Sequence, residues 1–168
     1  EGTNCIQSLD LVMRKLPSNE GRALKTIAAM VKKTAATLKE RKEIAKIGES
    51  LDTACGAMLS AAMSLQERAG AGRYDIVLLN TLSFLELAGH VLSGHFLGEQ
   101  AVIALDALQA NGVSVSDSSA ARSDADATFY FNKIKTAAYF AASELPQAKM
   151  LAKVIEAGDT APLDIIWS

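Results

Sequence analysis

Aromatic residues are scarce in this sequence: Phe, Tyr and Trp make up 5% of 168 residues, whereas apolar residues as a whole make up 49%. A β-sandwich or barrel draws on Tyr, Phe, Val and Thr for its sheet faces, so the shortage argues against one. Helices packed through Ala, Leu, Ile and Met fit the composition instead. Cysteine is nearly absent too. Cys5 and Cys55 are too few for a disulfide framework or a thiolate metal site, which points to a reducing, cytoplasmic setting. Charge of one sign is also missing, the formal net being −2, so nothing draws the whole molecule toward nucleic acid or an anionic membrane. No basic stretch ahead of an apolar core opens the chain as a signal peptide does. There is no Gly-rich phosphate loop, CxxC pair, HExxH or GxSxG motif.

What is present is helical periodicity. Ile6, Leu9, Val12, Met13 and Leu16 are spaced for one face of a short helix, which Pro17, Ser18 and Asn19 interrupt. A second helix is expected over about residues 20–40, its stripe being Leu24, Ile27, Ala28, Val31, Ala35 and Leu38. In the third, Ile44, Ile47, Leu51, Ala54, Met58, Ala61 and Leu65 follow at steps of three and four, until "AGAG" ends it. Residues 74–110 predict one long helix that is apolar on most sides. Asp75, Asn80, Glu86, His90, His95 and Glu99 interrupt it too often for a membrane span, since each intramembrane charge costs roughly 2.5–3.5 kcal/mol. A central position in a bundle suits it, with Gly89, Gly94 and Gly98 tolerated where a neighbouring helix comes close. Residues 111–123 form a polar loop, and a last helical stretch begins near Asp124. Pro146 either kinks that stretch or begins a new helix. The expected fold is all-α: an up-down four-helix bundle preceded by a short helix.

Few constellations carry chemistry. His90 and His95 are five apart and point to different sides of a helix, so no metal is expected on them. The segment "HVLSGHFLG" bears some likeness to the phosphorylated-histidine stretch of histidine-phosphotransfer domains, which are also four-helix bundles. Leu92 and Gly94 match that pattern after His90, but Ser93 replaces its lysine. Residues 22–46 hold eight basic residues (among them Arg22, Lys25, Lys32 and Lys33) against Glu40 and Glu43. No aromatic residue interleaves for base stacking, so a solvated face or a dock for an anionic surface fits better than nucleic acid.

The opening, "EGTNCIQSLDLVMRKL", is different in kind. It resembles the segment of acyl-CoA dehydrogenases in which a catalytic glutamate sits in a Tyr-Glu-Gly-Thr turn followed by an Ile-Gln that opens a helix. Glu1, Gly2, Thr3, Ile6 and Gln7 fall on that pattern, and Cys5 departs from it. The Leu-Asp-Leu-Val continuation is similar to the branch that includes methylthiopropionyl-CoA dehydrogenases, which carry an additional C-terminal helical domain. The later stretch "KTAAYFAASELPQAKMLAKVIEAG" (residues 135–158) is similar to the end of that domain.

The resemblance implies a C-terminal fragment of an FAD-dependent enzyme that dehydrogenates an acyl-CoA thioester between Cα and Cβ and passes electrons to an acceptor. It implies Glu1 as the base for the Cα proton, with Gly2 and Thr3 lying against the FAD. A weakly acidic Cα–H asks for a base in a dry pocket and for stabilisation of the thioester oxygen. Residues 1–16 are then the catalytic-turn segment with the last helix of the dehydrogenase helical domain, and residues 17–168 a bundle with a structural or subunit-packing role, in a homo-oligomer. The fragment alone is expected to be inactive. The alternative is a free-standing bundle that binds a protein partner, such as a phosphotransfer domain using His90.

Overall fold

The computed structural model describes residues 2–122 and 124–166, and among them every regular element is helical. Helix α1 (Asn4–Leu9) runs directly into a π-helical turn, Asp10–Lys15, in which the Leu16 N–H reaches back five residues to the Leu11 carbonyl at 2.9 Å. A left-handed run follows: Asn19, Glu20 and Gly21 have φ of 48°, 56° and 72°. Then come α2 (Arg22–Lys39), α3 (Ala45–Gly70), a short α4 (Tyr74–Leu79) and the long α5 (Thr81–Ala110). After α6 (Ser118–Arg122), α7 (Ala125–Ser143) and α8 (Leu145–Ala157) complete the bundle.

The core follows the periodicity closely. α2 buries Ala28, Val31, Ala35 and Leu38, and α3 buries Ile47, Leu51, Ala54, Met58, Ala61 and Leu65. These two pack face to face after a five-residue connection, and α3 then packs on α8 and α5. α5 is central, touching α1, α2, α3, α7 and α8. Small residues set the closest approaches. A Cβ on Gly48 would lie 2.6 Å from the Ala35 carbonyl oxygen, so only glycine lets α3 come this near α2. Gly94 lies under Leu145 and Leu51, and Gly98 under Leu38 and Thr34; Gly89, expected to do the same, faces open space.

Three expectations are refined. The 74–110 helix is divided at Asn80, whose side-chain Nδ2 donates to the Ile76 carbonyl at 2.8 Å inside the core. Pro146 begins a new helix, because proline is well suited to a first turn and Glu144 ends α7 before it. The polar loop contains α6, whose first turn is held by Asp117 Oδ1 accepting from the Ser119 and Ala120 amides at 3.0 and 2.9 Å.

One expectation is corrected. The stripe Ile6, Leu9, Val12, Met13, Leu16 does not face inward as a set: Val12 is buried and Leu16 half-buried, but Ile6, Leu9 and Met13 are exposed. Ser8 takes the inward place instead, donating to the Cys5 carbonyl at 2.8 Å and meeting Thr81 Oγ1 at 3.1 Å. A buried hydroxyl with two partners is well satisfied, so the helix can turn its polar residue in and its apolar stripe out.

Candidate functional site

Gly2 and Thr3 stand at the head of α1, and both are exposed. A Cβ built on Gly2 would meet nothing within 4 Å, so another surface has room to approach the backbone there. Thr3 occupies the N-cap position of α1. Its carbonyl accepts from the Gln7 N–H at 3.0 Å, while its side chain makes no capping bond. Simple capping therefore accounts for the backbone of Thr3 and not for its hydroxyl. Cys5, one residue into α1, is also exposed. Glu1 lies outside the described residues.

An apolar concavity is close by. A groove of about 450 Å³ lies between the π-helical turn, the start of α2, the second half of α3 and α4. Its walls are apolar, with Met13, Leu16, Leu24, Met63 and Tyr74 among them, and Lys25 and Glu20 supply charge. Two backbone irregularities frame it. The widened π turn carries Val12 and Met13 into one wall, and the left-handed Asn19–Glu20–Gly21 run sets where α2 starts. Both kinds of irregularity recur at functional positions. Across the same turn, Arg14, Lys15, Ser18, Asn19 and Arg22 line a shallower basic groove.

Charge at this end is partly neutralised. Asp10 holds Arg14 through two bonds, at 2.5 and 2.9 Å, and Lys15 at 3.0 Å. The Arg14 hydrogen bonds, and then that of Lys15, hold the Asp10 carboxyl down at about 2. Arg22 and Lys25 have no ion-pair partner among the described residues. Farther along the basic stretch, Lys39 pairs with Asp52 at 2.8 Å and Arg41 with Asp106.

The histidines fall apart as their spacing predicts. His90 is half-buried with its ring 6.5 Å from that of Phe140. His95 is only 2% exposed, and neither ring nitrogen has a hydrogen-bond partner; Glu99 Oε1 stands 3.9 Å from Nε2, beyond bonding distance. Gly94, one of the two phosphotransfer-like matches, is covered by Leu145. Among the described residues no group of three or more His, Cys, Asp or Glu converges as metal ligands do. Among them, too, no helix is long and apolar enough to cross a membrane.

The helices from α2 through α8 form one connected arrangement, and it is this part that is shared with other proteins. A family model described as acetyl-CoA dehydrogenase C-terminal like matches residues 24–165. The chain belongs to this family. Membership bears out the resemblance to acyl-CoA dehydrogenases, and the stretch 135–158 lies within the matched range. The opening segment, with Glu1, Gly2 and Thr3, lies outside it. No curated protein matches the chain.

Acyl-CoA dehydrogenases generally use FAD, so the described residues can be tested for fit to it. A dinucleotide needs a slot for its flat ring system and several donors converging on its diphosphate. Gly2 and Thr3 form one exposed turn, and the 450 Å³ groove is apolar with Lys25 as its cation. Neither is a dinucleotide site, and these residues alone do not fit the group.

Sequence reasoning missed the groove, and with it the apolar wall that Met63 and Tyr74 contribute. Four separate elements build it. Its only local signal is Pro-Ser-Asn-Glu-Gly (residues 17–21), which marks a break without revealing the left-handed run.

Proposed function

We propose that the chain is the C-terminal helical part of an FAD-dependent acyl-CoA dehydrogenase, of the branch that includes methylthiopropionyl-CoA dehydrogenases. The observation that carries this reading is the family match over residues 24–165. In it, residues 1–16 are the catalytic-turn segment and last helix of the dehydrogenase helical domain, and residues 17–168 are the added bundle. Glu1 is the base that takes the Cα proton of an acyl-CoA thioester, and a positioned base contributes about 10²–10⁴-fold to such a step. Gly2 and Thr3 lie against FAD that is held mainly by other parts of the polypeptide. Their exposure leaves them free for that contact.

The bundle has a structural role, packing on the dehydrogenase body or between subunits of a cytoplasmic homo-oligomer. In this reading the 168 residues alone are inactive, since the described residues do not by themselves fit a flavin dinucleotide. A phosphotransfer bundle working through His90 has less behind it, since Gly94 lies beneath Leu145.

The test is anaerobic flavin absorbance of the polypeptide extended upstream of Glu1, on adding acyl-CoAs of increasing length. Bleaching in the wild type and its loss in Glu1→Gln is the expected result. Equal bleaching in both would move the base elsewhere, and no bound flavin would remove the dehydrogenase reading. The 168-residue chain should show no turnover under any of these conditions.

A further inference from the structure

The shallower groove across the π turn has a chemistry of its own. It measures about 500 Å³, within the range of small-molecule sites. Arg14 and Lys15 of the turn, Ser18 and Asn19 of the break, and Arg22 and Thr26 of α2 supply its polar lining. Three of these are cations and none is an acid. Asp10 is the carboxylate bound to the cluster, and it serves Arg14 and Lys15 together. Glu20 belongs to the apolar groove instead, because the left-handed run sets Asn19 on the basic side and Glu20 on the other. Arg14, Lys15 and Arg22 against Asp10 leave two positive charges unbalanced.

The donors here are unspent. Arg14 gives Nε and Nη2 to Asp10, at 2.5 and 2.9 Å, and leaves Nη1 unengaged. The Arg22 guanidinium, the Ser18 and Thr26 hydroxyls and the Asn19 amide make no hydrogen bond among the described residues. Two guanidinium groups, an ammonium and hydroxyl donors on one groove suit a phosphate monoester. Such a group carries about −1.5 to −2 charge at pH 7 and three acceptor oxygens. No aromatic side chain lines the groove, so neither a nucleobase nor a flavin ring has a surface to stack on. Ala23 and Ile27 offer cover to a short aliphatic body instead.

We propose that this groove binds the phosphate monoester of a small soluble molecule with a short aliphatic body, its oxygens held by Arg14, Lys15 and Arg22. The remaining N–H groups of Arg14 and Lys15 take the phosphate while Asp10 keeps the two side chains together. The proposal stands on residues 14–27 and is independent of the dehydrogenase reading.

The test titrates propyl phosphate into the 168-residue chain and follows its backbone amide signals by NMR. Saturable shifts confined to residues 14–27, from one site, are expected. Diethyl phosphate has the same phosphorus centre with a single charge and should bind about tenfold more weakly, as when one charge-assisted contact is lost. Inorganic phosphate has no carbon body and should bind about fivefold more weakly, as when roughly one methylene is left unburied. Equal binding of the diester would overturn the charge match, and equal binding of inorganic phosphate would overturn the ester as ligand. No saturation, or shifts scattered over the whole surface, would overturn the site itself.

Two variants place the phosphate. Arg22→Gln should weaken propyl phosphate about tenfold. Lys25→Gln removes a cation from the apolar groove and should leave binding within about twofold, since salt screens exposed charges that the ligand does not touch. Both side chains are exposed, so each variant should keep the fold. Equal losses in the two variants would overturn the proposal, reducing it to a general attraction for anions. Failure of propyl phosphate to bind, with the chain cosedimenting on phosphatidylglycerol vesicles, would overturn it in favour of a lipid surface.

Discussion

Around Gly48 the helices touch so closely that one methyl group would collide with a backbone carbonyl; around Met63 they stand apart across a 450 Å³ groove. The two regions lie on the same helix, α3, in its first and second halves. One half is finished by the chain itself, through Gly48, Leu51, Gly94 and Gly98. The other opens on a groove whose wall includes the exposed Met63 and Tyr74. Close packing therefore belongs to the bundle, and the N-terminal end has the character of a contact surface.

The sharpest way to break this comparison is Leu51→Ala. Leu51 is fully buried and packs on both Gly94 and Gly98, so its truncation should cost about 3 kcal/mol. The reading is a lower urea midpoint with an unchanged denaturant slope. A loss under about 1 kcal/mol would mean that the interior collapses readily and the contrast is false. Gly48→Ala comes next, at about 2 kcal/mol, since the new methyl pushes on the Ala35 carbonyl and the Leu38 side chain. Stability equal to wild type would show that α2 and α3 have slack between them.

A smaller loss, about 1 kcal/mol, is expected for Gly158→Ala. That residue ends α8 at φ 60°, and a Cβ there would lie 2.6 Å from Arg68 Nη2. Ile6→Ser should have the smallest effect. It is 65% exposed, so the stability of this chain should move by no more than about 0.5 kcal/mol. A larger loss in thermal or urea unfolding would show that the outward stripe supports the bundle from within.

The bundle was legible because burial follows a period that side chains record. Val31, Ala35 and Leu38, or Leu51, Ala54 and Met58, announce their face by spacing alone. The all-round apolar character of residues 81–110 likewise told of a central helix. The N-terminal segment misled the same reasoning for a physical reason. A π turn changes the angular step between residues, and a satisfied Ser8 can replace an apolar residue inside. Spacing rules assume neither. The break at Asn80 was hidden because asparagine is compatible with a helical pattern while also able to bond its own backbone. Of the expected site, the sequence named Gly2 and Thr3, which the structure finds exposed at the head of α1; it could not name a groove assembled from residues sixty positions apart.

The place of α8 has a consequence for how the molecule is made. This helix packs on α3 and α5, with Leu145 over Gly94 and Leu51, and Arg68 donates to the Ile155 and Glu156 carbonyls at its end, at 2.7 and 2.5 Å. A nascent chain emerging at about 5–20 residues per second must therefore carry two uncovered apolar helices until α8 has left the ribosome. During those seconds it is a natural client for a holding chaperone. A chain stopped at Glu144 should show the same need, binding a hydrophobic dye strongly where the full 168 residues bind little.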